Sequence, residues 1–350
     1  MTKADVVRPK LLIDEDIIKK LKLVIVAYSN VDRDMFATDE AYDAEIEVVD
    51  RAHSVVAEIE KLGIPAKAYP ADEYFITKIL VDKPDLVLNL VDTFKGKESL
   101  STSIPASLEL LGIQFTGADT TGMLIGSDRY LNYQLLKIQN VPITPFQYIK
   151  RSNTRIKQEE IPLPLIVKLN ESGGSVGIDN HAVKETYEAA AEKVKDMIST
   201  YKMPVVVEHF VDGREVTVCV LDDGSKKHVF MAEKIFGFLP DGKHKFTSFE
   251  SYERDDCYTF HYVDEKTYEV VKDYAVKAFN ILKHRDYAKF DVRIDVNNVP
   301  FFTDSNPNTA FGPDMGLPFT DILNMHKVPF NDILRCLLTK HAKLIQQKDD

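Results

Sequence analysis

The hairpin segment AKFDVRIDVNNVPFFTDSNPN, residues 288–308, holds the densest set of side chains that could do chemistry. Asparagine tolerates the positive φ that a two-residue hairpin turn needs, so positions 297–298 are predicted to form the turn. This turn pairs Asp291 with Asp304 and Lys289 with Asn306. Because side chains alternate with period two along a strand, one face is predicted to carry Lys289, Asp291, Arg293, Phe302, Asp304 and Asn306.

Two carboxylates directly across a strand pair repel each other unless a cation lies between them. A hard divalent cation such as Mg²⁺ takes oxygen ligands from one or two carboxylates, and Asn306 would add an amide oxygen. The pattern therefore predicts a Mg²⁺ site formed by Asp291, Asp304 and Asn306. It also implies that removing one of the two negative charges would, if anything, stabilise the metal-free protein. The alternative is an ordinary solvated hairpin face.

A second candidate is Lys168 together with the glycine-rich segment ESGGSVG (171–177) that follows it. Glycines let a backbone approach a phosphate and present successive N–H groups, and a nearby lysine supplies a positive charge. The arrangement is neither GxxxxGK[ST] nor GxGxxG, since Lys168 precedes the glycines. The segment indicates a phosphate-binding loop, against the alternative of a mobile connector.

A third candidate is the segment VVVEHFVDGREVTV (205–218), in which Glu208 ends one apolar strand and Glu215 begins the next. A hinge between two such strands offers backbone donors and acceptors to the edge of an adenine. It also leaves a carboxylate for ribose hydroxyls. The alternative is a common β-turn with surface acids.

The elements that must hold these residues change in kind along the chain. Apolar runs at 22–28 and 86–91 read as buried strands, and they alternate with helical patterns such as that of residues 48–62. This alternation predicts an open parallel α/β domain over residues 1–117. Beyond the small, polar stretch TGADTTG (116–122), antiparallel hairpins with helices between them predict an α+β fold.

Composition limits the class of protein. The 350 residues correspond to two or three domains, and 44% hydrophobic residues exclude a disordered chain. Lys and Arg number 44 against 55 Asp and Glu, so the net charge is −11, which disfavours nucleic-acid binding. No apolar run approaches the roughly 20 residues of a membrane span. The start of the sequence has no signal-like apolar region, and 3 cysteines suit a reduced compartment, so we expect a cytoplasmic protein that binds no membrane.

In this order, the lysine strand, the glycine-rich loop, the Glu-hinge-Glu segment and the Asp…Asp-x-Asn hairpin resemble the ATP-grasp superfamily and, within it, the D-alanine–D-alanine ligase-like branch. The segments LVLNLV (86–91), PASLELLGIQFTGAD (105–119) and GSDRYLNYQLLKIQNVPITPF (126–146) resemble that branch's central segment and domain junction. The similarity covers about residues 22–340. It implies an N-terminal open α/β domain followed by a two-subdomain ATP-grasp fold, with a central subdomain at 118–205 and a C-terminal subdomain at 206–350.

The resemblance also implies roles for individual residues. ATP would be bound by Arg129, Lys168, Gly173, Gly174, Ser175, Val176, Gly177, Glu208, His209, Phe210, Val211 and Glu215. Within this set, Lys168 would contact the phosphates, positions 173–177 would cover them, positions 208–211 would form the adenine hinge, and Glu215 would bind the ribose. The Mg²⁺ ligands would be Asp291, Asp304 and Asn306.

Several positions depart from the pattern of the branch. Arg129 stands where the branch has a lysine, and Asp304 stands where it usually has a glutamate. Lys289 matches the arginine that steadies the tetrahedral intermediate, with Arg293 on the same predicted face as an alternative catalytic cation. An arginine still offers a cation to phosphate, but through a planar fork.

The substrate-binding segments match less well. The first strand leads into AYSNVDRD (27–34) rather than a glycine-rich loop with a substrate-binding glutamate, and either Glu45 or Glu47 is expected to replace that glutamate. The segment PNTAFGPDMGLP (307–318) lacks the small-residue pattern that receives the second carboxylate. D-Alanine is therefore not assumed for either substrate.

The resemblance implies a carboxylate–amine ligase that uses ATP and Mg²⁺, forms an acylphosphate, and joins small-molecule amino acids or amino-acid-like substrates. A homodimer is expected by resemblance alone. The alternative is a non-catalytic ATP-binding protein of the same fold, which the weak match at the substrate-binding segments motivates.

Overall fold

The computed structural model describes residues 7–237, 239, 242–252, 257–313 and 316–349. These residues form a parallel sheet followed by two antiparallel sheets. The predicted combination of an N-terminal parallel α/β domain and α+β subdomains is therefore confirmed.

The N-terminal sheet has the parallel order β2-β1-β3-β4. Its strands are β1 (Val24–Ser29), β2 (Ala66–Ala71), β3 (Leu86–Leu90) and β4 (Gln114–Phe115). Its helices are α1 (Glu15–Ile18), α2 (Asp39–Ile46), α3 (Val48–Lys61), α4 (Phe75–Asp82), α5 (Glu98–Ser101) and α6 (Ser103–Leu110), with a 3₁₀ turn at Arg33–Met35. Val24 and Val26 of β1 pack in one cluster with α3, whereas Ile25 and Ala27 pack in another with α4. Burial on both faces explains why these strands are continuously apolar.

The predicted domain junction around residue 117 is anchored to the C-terminal region. The N–H of Gly117 donates to Asp286 Oδ2 at 2.7 Å, and Asp286, which is fully buried, also bonds His341 Nε2 at 2.8 Å. Gly117 has φ +87°, and a Cβ there would lie 2.8 Å from Asn308 Oδ1, so the position requires glycine. Two helices follow the junction, α7 (Thr120–Gly126) and α8 (Arg129–Ile138).

The central sheet is antiparallel with order β5-β8-β6-β7. Its elements are β5 (Phe146–Ile149), β6 (Leu165–Leu169), β7 (Val183–Lys184), α9 (Tyr187–Tyr201) and β8 (Val205–His209). The predicted subdomain boundary between 205 and 206 would separate nearly all of β8 from the two strands that flank it. We therefore place this boundary after β8.

The C-terminal sheet is antiparallel with order β11-β10-β9-β12-β13. Its strands are β9 (Arg214–Asp222), β10 (Lys227–Phe236), β11 (Tyr258–Tyr262), β12 (Tyr287–Ile294) and β13 (Pro300–Asn306). Its helices are α10 (Phe249–Tyr252), α11 (Glu265–Ile281), α12 (Pro318–Met325) and α13 (Phe330–Asp349). Along β9, Val218 and Val220 pack with α11, whereas Cys219 and Leu221 pack with α12 and α13. These alternate residues of β9 are therefore covered by helices on the two faces of the sheet and are not available to a site.

Candidate active site

A cavity of about 700 Å³ lies where the three regions meet. Its lining includes Glu45 from the N-terminal region, Lys168 from the central sheet and Asp291 from the C-terminal sheet. Every predicted ATP-binding, metal-binding and catalytic residue except Gly177 lines this cavity. The fold thus brings together side chains that are far apart in sequence.

The acidic hairpin has the predicted pairing but not the predicted turn. Asp291 lies directly opposite Asp304, and Lys289 lies opposite Asn306. The predicted two-residue turn is wrong, because β12 ends at Ile294, β13 begins at Pro300, and the five residues 295–299 connect them. The longer turn shifts the pairing by one residue, and a β-bulge at Thr303 shifts it back.

The bulge also corrects the predicted position of Phe302. This residue was expected on the charged face, but it is 1% exposed and packs in the core against Phe290, with ring centroids 5.6 Å apart. The extra residue, Thr303, breaks the period-two alternation between Phe302 and Asp304. The Thr303 carbonyl accepts a hydrogen bond from Lys168 Nζ at 3.1 Å, and the Tyr133 hydroxyl oxygen, whose single proton it shares with Glu208, lies 2.5 Å away.

The two opposed carboxylates are already paired with cations from the protein. Lys289 Nζ lies 2.6 Å from Asp291 Oδ2, and Arg129 Nη2 lies 3.0 Å from Asp304 Oδ1. Burial would raise the pKa of Asp291, but Lys289 and Lys234 outweigh it and lower the pKa to about 2. The expectation that a missing metal leaves repulsion unrelieved is therefore wrong for Asp291.

The side chain of Glu208 holds Lys168 instead of facing an adenine. Its Oε1 lies 2.5 Å from Lys168 Nζ, and its Oε2 accepts a 2.6 Å hydrogen bond from the Tyr133 hydroxyl. Glu208 is 1% exposed, so the three side chains form a buried polar network at the end of β6. Of the predicted adenine hinge, the backbone at positions 209–211 therefore remains the candidate for that contact.

Arg293 has a different place from the one predicted. Its Nε donates to Val211 O at 3.0 Å, and its Nη1 donates to Glu215 Oε2 at 3.0 Å and Lys245 O at 2.6 Å. The guanidinium carbon also lies 4.6 Å from the centroid of the Phe210 ring. Because this buried cation is committed to bracing the hinge, we correct its predicted catalytic role to a structural one; Lys289 remains the catalytic candidate.

Glu215 is buried beside the hinge with both oxygens bonded. Lys234 Nζ lies 3.0 Å from Oε1, and the Thr247 hydroxyl also bonds Oε1, at 2.5 Å. Burial would raise the pKa of Glu215, but Lys234 and Arg293 lower it overall, so the group stays ionised. A ribose hydroxyl would share this carboxylate with those donors. The sequence analysis missed Lys234, although it pairs with Glu215 in the β9–β10 register.

The N-terminal wall of the cavity carries a cluster that the sequence analysis largely missed. Arg51 Nη2 lies 3.0 Å from Asp92 Oδ2. Burial raises the pKa of Glu98 to about 7, against the lowering effects of the Gly173 N–H and Arg129. A signal was available for Arg51, because it stands among the apolar positions of α3 and is 6% exposed.

The structure distinguishes the two glutamates left open by the sequence. Both line the cavity, but Glu47 is exposed, whereas Glu45 accepts a 3.4 Å hydrogen bond from the Thr93 hydroxyl. Burial, together with Asp92 and Glu98, raises the pKa of Glu45 well above its usual value. Glu45 is therefore the acid that belongs to the cluster at the cavity wall.

Two antiparallel sheets that enclose a lysine, a glycine-rich loop, a hinge and an acidic hairpin define an ATP-grasp protein. Residues 135–338 match the family model described as D-ala D-ala ligase C-terminus. The match spans more than half of the chain, and the chain belongs to this family.

Relatives and solved structures agree with this assignment. D-alanine–D-alanine ligase of Thermotoga maritima is 26% identical over 287 residues, which cover 76% of this chain and 87% of that protein. An uncharacterized protein of Sinorhizobium fredii is 25% identical over 73% of this chain and 77% of its own length. D-alanine–D-alanine ligase from Bacillus anthracis complexed with ATP has a TM-score of 0.71 at 13% identity, covering 93% of this chain and 99% of that one. VanG D-Ala:D-Ser ligase from Enterococcus faecalis has a TM-score of 0.66 at 15% identity, covering 91% and 99%.

These similarities confirm the predicted ATP-grasp superfamily and the predicted fold class. Family and fold together place the chain among the ATP-dependent ligases that form C–N bonds. Within the described ranges, every helix is too short or too polar to cross a membrane.

Proposed function

We propose that the protein is an ATP- and Mg²⁺-dependent ligase that activates a carboxylate as an acylphosphate and then joins it to an amine. The observation that carries this proposal is the convergence of Lys168, loop residues 173–176, Asp291 and Asp304 on one cavity. Such groups suit a reaction in which positioning and charge neutralisation dominate. The proposal therefore needs no nucleophilic side chain.

The donor set of the hairpin fits a hard divalent cation. Asp291 and Asp304 offer carboxylate oxygens, and Asn306 on the same cavity wall offers its amide Oδ1; among the described residues, its buried Nδ2 finds no hydrogen-bond partner. The donors to Asp304, Arg129 Nη2 and the Ser305 N–H, both bond Oδ1, which leaves Oδ2 for a cation. Mg²⁺ takes such ligands together with phosphate oxygens, and when bound it would neutralise phosphate charge.

Two displacements would form the product. A carboxylate oxygen of the first substrate attacks the γ-phosphorus of ATP, and the bond to the departing ADP oxygen breaks. The neutral amine nitrogen then attacks the acyl carbon, the bond to phosphate breaks, and the departing phosphate takes up the proton that the nitrogen loses.

In this scheme Lys168 holds the phosphates and Lys289 stabilises the oxyanion of the tetrahedral intermediate. Burial would lower the pKa of Lys289, but Asp291 raises it overall, so this amine stays protonated. A fixed positive charge that meets a developing negative charge in a water-poor site lowers the barrier.

The N-terminal cluster supports an amino-acid-like substrate. We assign Glu45 to the substrate's ammonium group, because it is the cavity acid surrounded by Asp92 and Glu98. Neighbouring carboxyl groups that raise the pKa of Glu45 disfavour its ionised form, and a cationic ligand would favour that form again. Arg51 balances only part of this charge through its pair with Asp92.

Mass spectrometry of products formed from ATP, Mg²⁺ and a mixture of L- and D-amino acids tests the proposal. We expect an amide product with stoichiometric ADP and phosphate, and losses of about 100-fold or more in Lys168→Ala and Asp304→Asn. Asp273→Asn, at an exposed position of α11, is the matched control and should keep wild-type turnover. Tight ATP binding without product would favour the non-catalytic alternative, and absence of both would refute the ATP assignment.

A further inference from the structure

Helix α2 of the N-terminal region packs against the central region beside the glycine-rich loop. Ala41 contacts the hydrophobic cluster that contains Val176 and Met197. A Cβ placed on Gly174 would lie 3.1 Å from the Ala44 Cβ, so the loop passes close beneath the helix. The same helix carries Glu45 toward the cavity.

Both ends of the loop donate backbone hydrogen bonds to carboxylates of the N-terminal region. The Gly177 N–H donates to Glu40 Oε1 at 2.7 Å, and the Tyr201 hydroxyl donates to Glu40 Oε2 at 3.2 Å. At the other end, the Gly173 N–H donates to Glu98 Oε1. Glu40 therefore joins α2 to the loop and to α9 at once.

The middle of the loop is left open for a ligand. In the described part of the chain, the N–H groups of Gly174 and Ser175 donate to no protein acceptor, and both residues line the cavity. Gly177, which Glu40 holds, lies outside the cavity lining. The carboxylates thus fix the ends of the loop without occupying its central donors.

We propose that Glu40 is a positioning residue that holds the glycine-rich loop over the cavity, so that the central N–H groups meet the phosphates of ATP. The consequence for ATP rests on the proposed function, whereas the contact itself does not. Helix α2 carries both Glu40 and Glu45, so the same helix contacts the loop and contributes to the N-terminal wall of the cavity. A backbone hydrogen bond to a charged acceptor is among the stronger ones in proteins, so its loss should be measurable.

Hydrogen exchange of the ATP-free protein tests the contact directly. In Glu40→Ala we expect the hydrogen-bonded amides of the loop, above all that of Gly177, to exchange about tenfold faster, with exchange elsewhere and the melting temperature nearly unchanged. Glu40→Gln keeps an acceptor oxygen and should restore most of the protection. Asp39→Asn, at the neighbouring exposed residue whose carboxylate bonds Arg33 and not the loop, is the control and should match the wild type.

Kinetics separates a positioning role from general support of the fold. Glu40→Ala should raise KM for ATP about tenfold while kcat changes less than about threefold. Unchanged exchange at 173–177 in Glu40→Ala would overturn the proposal, and so would equally faster exchange across the whole protein. If loop exchange is faster in Glu40→Ala but the wild type neither binds nor turns over ATP, the contact stands and the proposed function is refuted instead.

Discussion

Replacing Asp291 by asparagine should destabilise the metal-free protein by about 2 kcal/mol. The structure lowers the pKa of this carboxyl from 3.8 to about 2, because Lys289 and Lys234 outweigh its burial. Each pKa unit corresponds to about 1.4 kcal/mol of preference for the ionised form. The side chain is 23% exposed, so solvent screening removes little of this energy. Repulsion between Asp291 and Asp304, expected from the sequence alone, would instead make the variant more stable than the wild type.

Urea denaturation at pH 7.5 with EDTA measures this difference, and exposed Asp273→Asn serves as the control, expected within about 0.5 kcal/mol of wild type. The folded-state pKa is depressed, so the stabilisation is complete above the unfolded pKa of about 4 and is lost as pH falls toward 2. The gap between wild type and Asp291→Asn should therefore be constant from pH 7.5 to 5. An Asp291→Asn variant as stable as the wild type, or more stable, would refute the stabilising ion pair. It would show instead that repulsion between Asp291 and Asp304 dominates in the metal-free protein.

Three further changes test other parts of the structure. Burial lowers the pKa of His284 to about 3, so the unfolded chain takes up the proton first. Between pH 7.5 and 5.5, the free energy of unfolding of the wild type should therefore fall by about 1.4 kcal/mol more than that of His284→Gln. Urea titrations at both pH values measure this difference. His341→Leu removes a partner of the fully buried Asp286, and calorimetry should show a loss of about 3 kcal/mol. Phe302→Ala should cost about 3 kcal/mol or more in urea; a cost near zero would return Phe302 to the cavity face and contradict the bulge at Thr303.

The parts of the fold that follow from periodicity could be predicted. The apolar runs of β1 and β3 are buried on both faces, and the helical spacing of α3 matches its buried stripe. The pairing of Asp291 with Asp304 also followed from the hairpin sequence. Each of these depends on the local repeat of a strand or a helix, which a sequence displays directly.

The bulge at Thr303 could not be predicted, because its reason lies outside the hairpin. The bulged backbone directs a carbonyl to Lys168 and Tyr133, which come from the central sheet and from α8. In the same way, Arg293 shares a strand with Lys289 and Asp291, yet its donors are taken by the hinge carbonyl of Val211. The group to which a basic side chain donates depends on its tertiary neighbours, and the period-two pattern of a strand does not reveal them.

Tertiary contacts also connect two departures from the branch that look independent in the sequence. Arg129 replaces a lysine and Asp304 replaces a glutamate, but in the structure Arg129 Nη2 bonds Asp304 Oδ1 at 3.0 Å. The other nitrogen of the fork, Nη1, donates to the carbonyls of Leu169 and Ser172, at the end of β6 and the start of the glycine-rich loop. A single ammonium group cannot direct two separated nitrogens at these acceptors, whereas a planar guanidinium can. The short acid and the forked cation therefore bond each other, and through Arg129 the acidic hairpin is tied to the loop. Roles carried over one residue at a time miss this, because Arg129 and Asp304 form a bonded pair in the structure.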